Sequence, residues 1–452
     1  MKSSRRDLLR YGACGLLGRA AFISGFDRFS LVSAIAAPAA ATTDYKALVC
    51  IFMFGGNDSN NTLVSIDNYA SYSSNRGILA ISQAQLLPIF PKSGGNYGLH
   101  PNLTGLQSLF QSGALAILCN VGTLTAPITK PQYQSGTHPY ALFSHSDQQS
   151  QWQTSNSMSN SPSGWGGRMA DATAVAPSGF PTICSVAGVS VFSVGQSTQP
   201  IAISPAPTPL NQTLRIVQQD AAITPILTAD RESTSPILVS ASDNIAQFAL
   251  NNSALLSTNP TIATVFPATG LGNQLLQVAK MISISSALGL KRQIFFCSIG
   301  GFDTHTVQIS TQMSLLQQLG DAMKAFYNAT IELGVSSKVT TFTLSDFSRT
   351  FKPAGTVAAT VGSDHAWGSH QFIMGDSVIG GSLYGAFPDL VPGGNQDVDS
   401  GSGARGRWIP TSSVDEFAST LALWYGLPVS DLSVVFPNIG SFSTSNLGFM
   451  TA

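Results

Sequence analysis

The chain has 452 residues, of which 43% are hydrophobic and only 10% are charged, and its formal net charge is −1. A chain of this length and apolar content can bury a sizeable core, in one large α/β domain or two smaller ones. Its charge balance offers no basic surface that would attract nucleic acid or an acidic membrane. Because charged side chains are scarce, the six histidines and any clustered carboxylates are the first candidates for chemistry.

The N-terminal segment has the features of an export signal. Residues 4–10 read Ser-Arg-Arg-Asp-Leu-Leu-Arg, a twin-arginine motif, and an apolar stretch with small-residue cleavage sites at 34–36 and 37–39 follows it. We therefore predict a removable signal at residues 1–41 and passage through the twin-arginine translocase in the folded state. The mature protein, residues 42–452, would be periplasmic or secreted.

Two other interpretations of this segment are weaker. A transmembrane anchor is disfavoured because Arg19, Asp27 and Arg28 interrupt the apolar run. Lipid attachment to Cys14 fits poorly because most of the apolar stretch follows that residue. We expect no stable membrane span once the signal is removed.

Apolar runs without polar alternation predict strands that are buried on both faces, as in a parallel sheet. Helical spacing of apolar residues predicts helices over 274–290 and 313–333, and Ser413 with Glu416 forms a capping box that opens a helix through Trp424. Helices between buried strands indicate an α/β fold, a three-layer α/β/α sandwich with a mostly parallel central sheet. The predicted strands are 47–54, 114–119, 294–297 and 339–344.

Two segments have a different composition. Residues 198–269 are rich in Pro, Ser, Thr, Asn and Ala, which predicts an irregular insertion into the domain, and residues 380–406 are rich in Gly and Ser, which predicts a long loop. The four cysteines after the predicted signal include no Cys-x-x-Cys pair. Buried thiols and a single disulfide both remain open for them.

Two short patches concentrate histidine and aspartate. Asp303 and His305 lie in the first, and Asp364, His365 and His370 lie in the second. Neutral imidazole and carboxylate groups are the usual ligands of zinc and related divalent ions. Each residue alone could serve a turn, a helix start or a hydrogen-bonded pair. Together, in glycine-bearing segments of a charge-poor chain, they predict a metal site.

Polar residues also follow the predicted strands. Asp58, Asp303 and Asp346 each come after one of the apolar runs. Sites in open α/β sheets gather outside the carboxyl ends of strands, so we expect these carboxylates to converge. Asp58 could instead stabilise a turn, and Asp346 could cap a turn or pair with Arg349.

A set of short segments gives the chain a family resemblance. They are residues 55–58, 99–101, 143–145, 301–305, 345–350 and 364–368. On these segments the chain resembles the twin-arginine-exported bacterial proteins catalogued as domain of unknown function 1501, which are similar in turn to the alkaline phosphatase and sulfatase superfamily. The resemblance covers nearly the whole mature chain, is thinnest over 198–269, and implies an alkaline phosphatase-like fold.

The resemblance implies a site with two divalent ions that acts on a small anionic ester. Zinc is the first choice, and manganese, magnesium and calcium are alternatives. A serine or threonine nucleophile would lie between the ions. One ion would be held by Asp303, His305 and His370, and the other by Asp58, Asp364 and His365.

The nucleophile is less clearly marked. Ser144 is the preferred candidate, because it precedes a predicted helix at 148–152 whose N-terminus favours anions. Thr62, which is closer to Asp58, is the alternative, and either hydroxyl could simply cap a helix. Arg349 could neutralise substrate charge through its planar guanidinium.

The remaining histidines carry weaker signals. His145 is open between a ligand and a structural hydrogen-bonding residue, and His100 and His138, each before a proline, are interpreted as turn or core residues.

The chain departs from the family pattern at three positions. Asp346 and Ser348 stand where relatives usually carry Glu and Gly, and Ala366 replaces a usual glycine. The shorter carboxylate could still bind a metal or could only position Arg349. No Cys-x-Pro-x-Arg segment is present, so the formylglycine chemistry of typical sulfatases is not expected.

Three functions are compatible with these features. A metal-dependent hydrolase of phosphate or sulfate esters is favoured by the ligand types and the resemblance. A non-catalytic exported binding or envelope-assembly protein with the same fold is the alternative. Carbohydrate binding rests only on Trp152, Trp165, Trp367 and Trp408, which more often serve as core residues.

Overall fold

The computed structural model describes residues 44–159, 161–173, 180–213 and 255–451. The predicted signal and the middle of the predicted insertion lie outside the described residues, so their assignments stay predictions. The flanks of the insertion that are described, 198–213 and 255–269, contain only short regular elements.

The strands build one large sheet and one small one. The strands in chain order are β1 (Lys46–Met53), β2 (Leu63–Ser65), β3 (Leu87–Ile89), β4 (Tyr97–Leu99), β5 (Leu115–Gly122), β6 (Ile183–Ser185), β7 (Ile201–Ala202), β8 (Arg292–Ile299), β9 (Val339–Ser345), β10 (Ser369–Met374), β11 (Leu383–Gly385) and β12 (Ser412–Ser413). The large sheet has the order β11-β5-β10-β9-β1-β8-β6-β7, with β12 also paired to β5. β2, β4 and β3 form the small antiparallel sheet.

The large sheet is mostly parallel, as predicted. β1 at its centre pairs in parallel with β8 and β9. β10 is the exception, because it runs antiparallel to both β5 and β9. The reversed strand brings its first residues, not its last, to the edge where the parallel strands β1, β8 and β9 end.

Alternate residues of β1 pack into two separate cores, which explains why the strand is apolar throughout. Val49 and Ile51 belong to one cluster and Cys50 and Phe52 to the other, and all four side chains are fully buried. A strand that is covered on both faces has no solvent side on which polar residues would be favourable. The two clusters establish the predicted three-layer α/β/α arrangement.

Helices cover both faces of the sheet. In chain order they are α1 (Ser59–Thr62), α2 (Tyr69–Arg76), α3 (Thr104–Ser112), α4 (Lys130–Gln134), α5 (His145–Thr154), α6 (Trp165–Ala172), α7 (Gly270–Ser283), α8 (Gln308–Glu332), α9 (Val414–Tyr425) and α10 (Leu432–Val435). α3, α7 and α8 contribute to the cluster with Val49, and α6 and α9 contribute to the cluster with Cys50.

The predicted helices are present with shifted ends. α7 begins four residues before the predicted start and ends at Ser283, and α8 begins at Gln308, five residues before its predicted start. The capping box at the start of α9 is confirmed, because Ser413 accepts from the backbone N–H of Glu416 and the Glu416 side chain accepts from Ser413. The predicted loop at 380–406 is mostly irregular but contains β11.

The four cysteines after the predicted signal are free and buried, so the thiol alternative is the one the structure contains. Burial raises the pKa of each thiol, which makes them poor nucleophiles. Among the described residues, no helix has the length and apolar character needed to cross a membrane.

Candidate metal centre

The turns after β1, β8 and β9 contact one another. The backbone N–H of Phe302 donates to the carbonyl of Phe54 at 3.1 Å, and the N–H of Gly55 donates to Asp346 Oδ1 at 3.2 Å. Gly55 has φ +113°, and a Cβ there would lie 2.3 Å from the backbone nitrogen of Asp303. Only glycine permits this approach, which brings Asp303 beside the first turn.

Three histidines surround one carboxylate oxygen. Asp303 Oδ1 lies 3.4 Å from His145 Nε2, 3.3 Å from His365 Nε2 and 3.2 Å from His305 Nε2. One ligand atom each from His145, Asp303 and His365 fall within 4.8 Å of one another. Asp303 and His305 are about half exposed, at 48% and 44% of the side chain, so the group opens to solvent on their side.

The other nitrogen of two of these rings is held by an acceptor. His145 Nδ1 lies 2.7 Å from Asp346 Oδ2, and His365 Nδ1 lies 2.7 Å from the carbonyl of Phe143. Because both partners are acceptors, the proton of each neutral ring belongs on Nδ1. The Nε2 lone pairs of both rings then point toward Asp303, which is the arrangement of metal-binding histidines.

The unpaired Nε2 of His145 fits a cation. His145 Nε2 is buried and has no hydrogen-bond partner among the described residues. His305 Nε2 lies only 2.9 Å from His365 Nε2. A proton between these two nitrogens would make a hydrogen bond, and a divalent ion would equally hold the Nε2 atoms and the carboxylate oxygen together.

Asp364 extends the group on its exposed side. Its Oδ1 lies 3.3 Å from His305 Nδ1, and its Oδ2 is paired with Arg405. The Arg407 Nε–H donates to the carbonyl of His365 at 2.9 Å, and its guanidinium lies over the Phe143 ring. Two arginines from the segment between β11 and β12 therefore reach the group.

The environment shifts the pKa values of the groups around Asp303 Oδ1 in different directions. The hydrogen bond to Asp346 raises the pKa of His145 above its ordinary value, despite partial burial. Burial lowers the pKa of His365, which therefore favours the neutral form that binds metals. Partial burial raises the pKa of Asp303, but the hydrogen bond and charge of Arg349 outweigh it, and the net pKa is lowered.

Arg349 lies at the back of the group. Its side chain is fully buried, and its Nη1 donates to Asp303 Oδ1 at 2.9 Å. Its Nη2 donates to the carbonyl of Ser363. Asp346 does not pair with Arg349, because it accepts instead from His145 and from Gln149 Nε2 at 2.8 Å. Arg349 thus orients Asp303, and Asp346 orients His145.

Asp58 is not part of this group. Its side chain is fully buried in an ion pair with Arg76 of α2, and Gln308 Nε2 donates to the same oxygen, Oδ2. Its Oδ1 accepts from the backbone N–H of Asn60 at 3.1 Å, which caps α1. Because the Asp58 carboxylate is already neutralised and hydrogen-bonded, Asp58 stabilises the fold.

His370 also lies outside the group. It belongs to β10 and is 4% exposed, and its Nδ1 accepts from the backbone N–H of Asn120 at 3.0 Å. Burial lowers the pKa of His370 to about 4. The six predicted ligands therefore divide, because Asp303, His305, Asp364 and His365 come together while Asp58 and His370 do not.

The two candidate nucleophiles differ in access. Thr62 is fully buried in α1, and its hydroxyl donates to the carbonyl of Asp58 at 2.8 Å. Ser144 is half-buried at the N-cap of α5, directly before His145, and its hydroxyl donates to Asp147 Oδ2. Only Ser144 combines a hydroxyl accessible to solvent with a neighbour in the group.

Three residues of the site were not assigned from the sequence. His145 was left open, and Arg405 and Arg407 were not singled out. A histidine at a helix start and arginines in a glycine-rich loop carry no periodic signal. The four tryptophans on which carbohydrate binding depended, Trp152, Trp165, Trp367 and Trp408, are at most 2% exposed and offer no face to a sugar.

Comparison with solved structures gives alignments of low identity over most of the chain. The chain aligns with a structure titled Ps i-CgsB in complex with k-i-k-neocarrahexaose at 8% identity and a TM-score of 0.34, covering 87% of this chain and 74% of that one. It aligns with the PsFucS1 sulfatase from Pseudoalteromonas sp. at 9% identity and a TM-score of 0.34, covering 90% and 70%. It aligns with the phosphonate monoester hydrolase of Agrobacterium radiobacter at 10% identity and a TM-score of 0.30, covering 85% of this chain and 74% of that one.

No curated protein was found to match the sequence. A family described as "Protein of unknown function (DUF1501)" matches residues 45–399, which include β1 and all the histidines and aspartates of the group. The match covers well over half of the chain, and the chain belongs to this family.

Proposed function

We propose that the protein is a metal-dependent hydrolase of phosphate or sulfate esters that is exported by the twin-arginine route. The observation that carries the proposal is the direction of the Nε2 atoms of His145 and His365. Both rings are fixed through Nδ1, so that their lone pairs meet at Asp303 Oδ1. A divalent ion would also satisfy the Nε2 of His145, which is buried and has no hydrogen-bond partner among the described residues.

The residues present fit a divalent ion. Asp303, His145 and His365 would hold one ion, and His305 with Asp364 are the candidates for a second. Imidazole and carboxylate ligands in this ratio favour zinc over calcium or magnesium, which prefer oxygen ligands alone. Such an ion, when bound, lowers the pKa of a bound water or hydroxyl and polarises the ester oxygen.

The chain's own residues would position the substrate and move protons. Ser144 is the proposed nucleophile, and Asp147, which accepts the hydrogen bond of its hydroxyl, is placed to accept its proton. Asp346 holds His145 and the Phe143 carbonyl holds His365, so neither ring can rotate away. Arg349 holds Asp303 from behind. These contacts keep the ligands in place before any substrate arrives.

The first test is the metal content of the mature protein, purified without chelator and measured by elemental mass spectrometry. We expect about two equivalents in the wild type, as in two-metal hydrolases, and loss of metal in His365→Ala. His138→Ala is the matched control, because His138 lies outside the group and its Nδ1 contacts the carbonyl of Pro139. One equivalent would support a single-ion site.

A screen of phosphate and sulfate esters would follow. Turnover that disappears in both His365→Ala and Ser144→Ala would support the hydrolase. Wild-type protein without metal, or metal-loaded protein that cleaves no ester in the screen, would favour the binding or envelope-assembly alternative.

Export has its own test. A variant with lysine at positions 5 and 6 should accumulate in the cytoplasm, because the translocase requires the paired arginines. Arg10→Lys, outside the pair, is the control. Equal export of the double variant and the control would contradict the proposed route.

A further inference from the structure

The glycine-rich loop between β11 and β12 carries two arginines to the metal-ligand group. The loop is built around Asp397, whose side chain is fully buried. Its two oxygens accept from the backbone N–H groups of Gly393, Asp399, Gly406 and Arg407 at 2.8–3.0 Å. Four backbone donors on one carboxylate give an otherwise irregular segment a defined conformation.

The same loop fixes the backbone beside the first arginine. Asp399 Oδ2 accepts from the N–H of Arg405 at 3.0 Å, and Asp399 Oδ1 accepts from the Arg407 side chain at 3.0 Å. The carbonyl of Arg405 accepts from the N–H of Lys352 at 2.9 Å. Arg405 is therefore presented from a rigid support, which is what a binding residue needs if it is to lose little entropy on binding.

Arg405 lies at the open side of the site and its side chain makes a single ion pair. Its Nη1 pairs with Asp364, whose other oxygen faces His305. Its Nη2 is shielded from solvent and has no acceptor among the described residues. The side chains of Arg405 and Asp364 are 28% and 34% exposed, so both lie where the group opens.

The two other arginines near the group are less available to a ligand. Arg349 is fully buried behind Asp303 and bonds to two backbone carbonyls as well. Arg407 bonds to Asp399 and to the carbonyl of His365. Arg349 has no exposure, and the Arg407 side chain, although 26% exposed, is held by two acceptors, whereas the Arg405 side chain is held by Asp364 alone. The charge-neutralising role that the sequence suggested for Arg349 therefore suits Arg405 better.

We propose that Arg405 binds the tetrahedral oxyanion group of the ester, phosphate or sulfate, through the donors of its guanidinium. A planar fork matches two oxygens of such a group and gives charge-assisted hydrogen bonds. The inference rests on the proposed function in that it names the part of the ester that is recognised. Arg405 is then the residue that selects anionic over neutral esters.

The test is calorimetric titration of orthophosphate and of sulfate into the metal-loaded mature protein. Arg405→Gln should weaken binding of the preferred anion by about tenfold to a hundredfold, the range expected for a hydrogen bond to a charged group. The affinity of Arg405→Lys, which keeps the charge but loses the planar fork, should lie between those of the wild type and Arg405→Gln. Lys352→Gln is the control, because it removes a positive charge close to Arg405 without touching Asp364.

The outcomes separate this inference from the proposed function. Wild-type affinity in Arg405→Gln, or no binding of either anion by metal-loaded wild type, would overturn the role of Arg405 even if ester hydrolysis is found. Selective loss of anion binding in Arg405→Gln, with metal content unchanged, supports it even if no ester is cleaved. A preference for phosphate or for sulfate would indicate the class of ester, and an Arg405→Lys affinity below that of the wild type would show that the planar fork contributes.

Discussion

Two neighbouring strands end in the same four-residue pattern, and the two aspartates have different positions. Gly-Gly-Asn-Asp at 55–58 follows β1, and Gly-Gly-Phe-Asp at 300–303 follows β8. Asp58 is fully buried against Arg76, whereas Asp303 is half exposed among three histidines. The pattern places a carboxylate at the sheet edge, and the groups that other segments bring there decide whether it supports the fold or is free to bind a ligand.

The largest expected effect concerns the buried pair. Arg76→Met should lower the free energy of unfolding by about 3–5 kcal/mol, because it leaves Asp58 charged and buried without its partner. Chemical denaturation would measure the loss, and the metal content of the folded fraction should not change. Loss of metal at unchanged stability would assign Asp58 to the metal site after all.

The contact between the two turns can be broken at Gly55. Gly55→Ala should lower the free energy of unfolding by about 2–4 kcal/mol, since the added Cβ meets the backbone before Asp303 and φ is +113°. Denaturation would measure the loss of stability, and metal titration on the same protein would show whether Asp303 has moved. Gly289→Ala, at φ +67° with open space around it, controls for backbone strain alone, and an equal loss in both variants would contradict the close contact.

The opposite result is expected at the second aspartate. Asp303→Asn should weaken metal binding by more than the roughly 10–100-fold that loss of an orienting residue costs, because a ligand itself is removed. Stability should change by only about 1 kcal/mol, since the amide oxygen can still accept from Arg349. Calorimetric metal titration and denaturation would check both. A change of several kcal/mol in stability with full metal affinity would reverse the comparison.

The smallest effect concerns pH. Asp346 raises the pKa of His145 above its ordinary value, and a protonated imidazole cannot bind a metal. Metal affinity should therefore fall as the pH falls through that raised pKa, by about tenfold per unit. In the Asp346→Asn variant, the pH at which metal affinity begins to fall should be lower than in the wild type. An unchanged onset in a metal titration across pH 5–8 would remove Asp346 from this role.

The sequence predicted the sheet well because its strands obey one simple constraint. β1, β5, β8 and β9 are covered on both faces, so every position favours an apolar residue and the run is visible without any partner. The short strands β6, β7 and β11 have too few residues to leave such a run.

The site was predicted only in part, and the reasons lie in particular residues. Asp303 follows a parallel strand and was placed correctly at the sheet edge. Asp364 and His365 reach the same edge by a different route. They precede β10, which runs antiparallel to β9 and therefore begins at the edge where β9 ends. Asp58 resembled a ligand because the polar sequence of α2 gives no sign that Arg76 is directed at it.

His145 and Arg405 depend on tertiary contacts that no local pattern reports. His145 is oriented by Asp346, some two hundred positions later in the chain. Arg405 is presented by a loop whose conformation depends on Asp397 accepting four backbone hydrogen bonds. An aspartate pair such as Asp397 and Asp399 within a glycine-rich segment is the one signal that could have marked this loop as ordered.

The central position of β1 has a consequence for biosynthesis. Lys46 pairs with Arg292 and Ala47 pairs with Val339, so β1 waits for partners that are made much later. During that interval an apolar segment with two unpaired edges is available for aggregation. We expect nascent chains that end before β8 to depend on chaperones. The group of histidines and aspartates around Asp303 should form only after release of nearly the whole polypeptide from the ribosome.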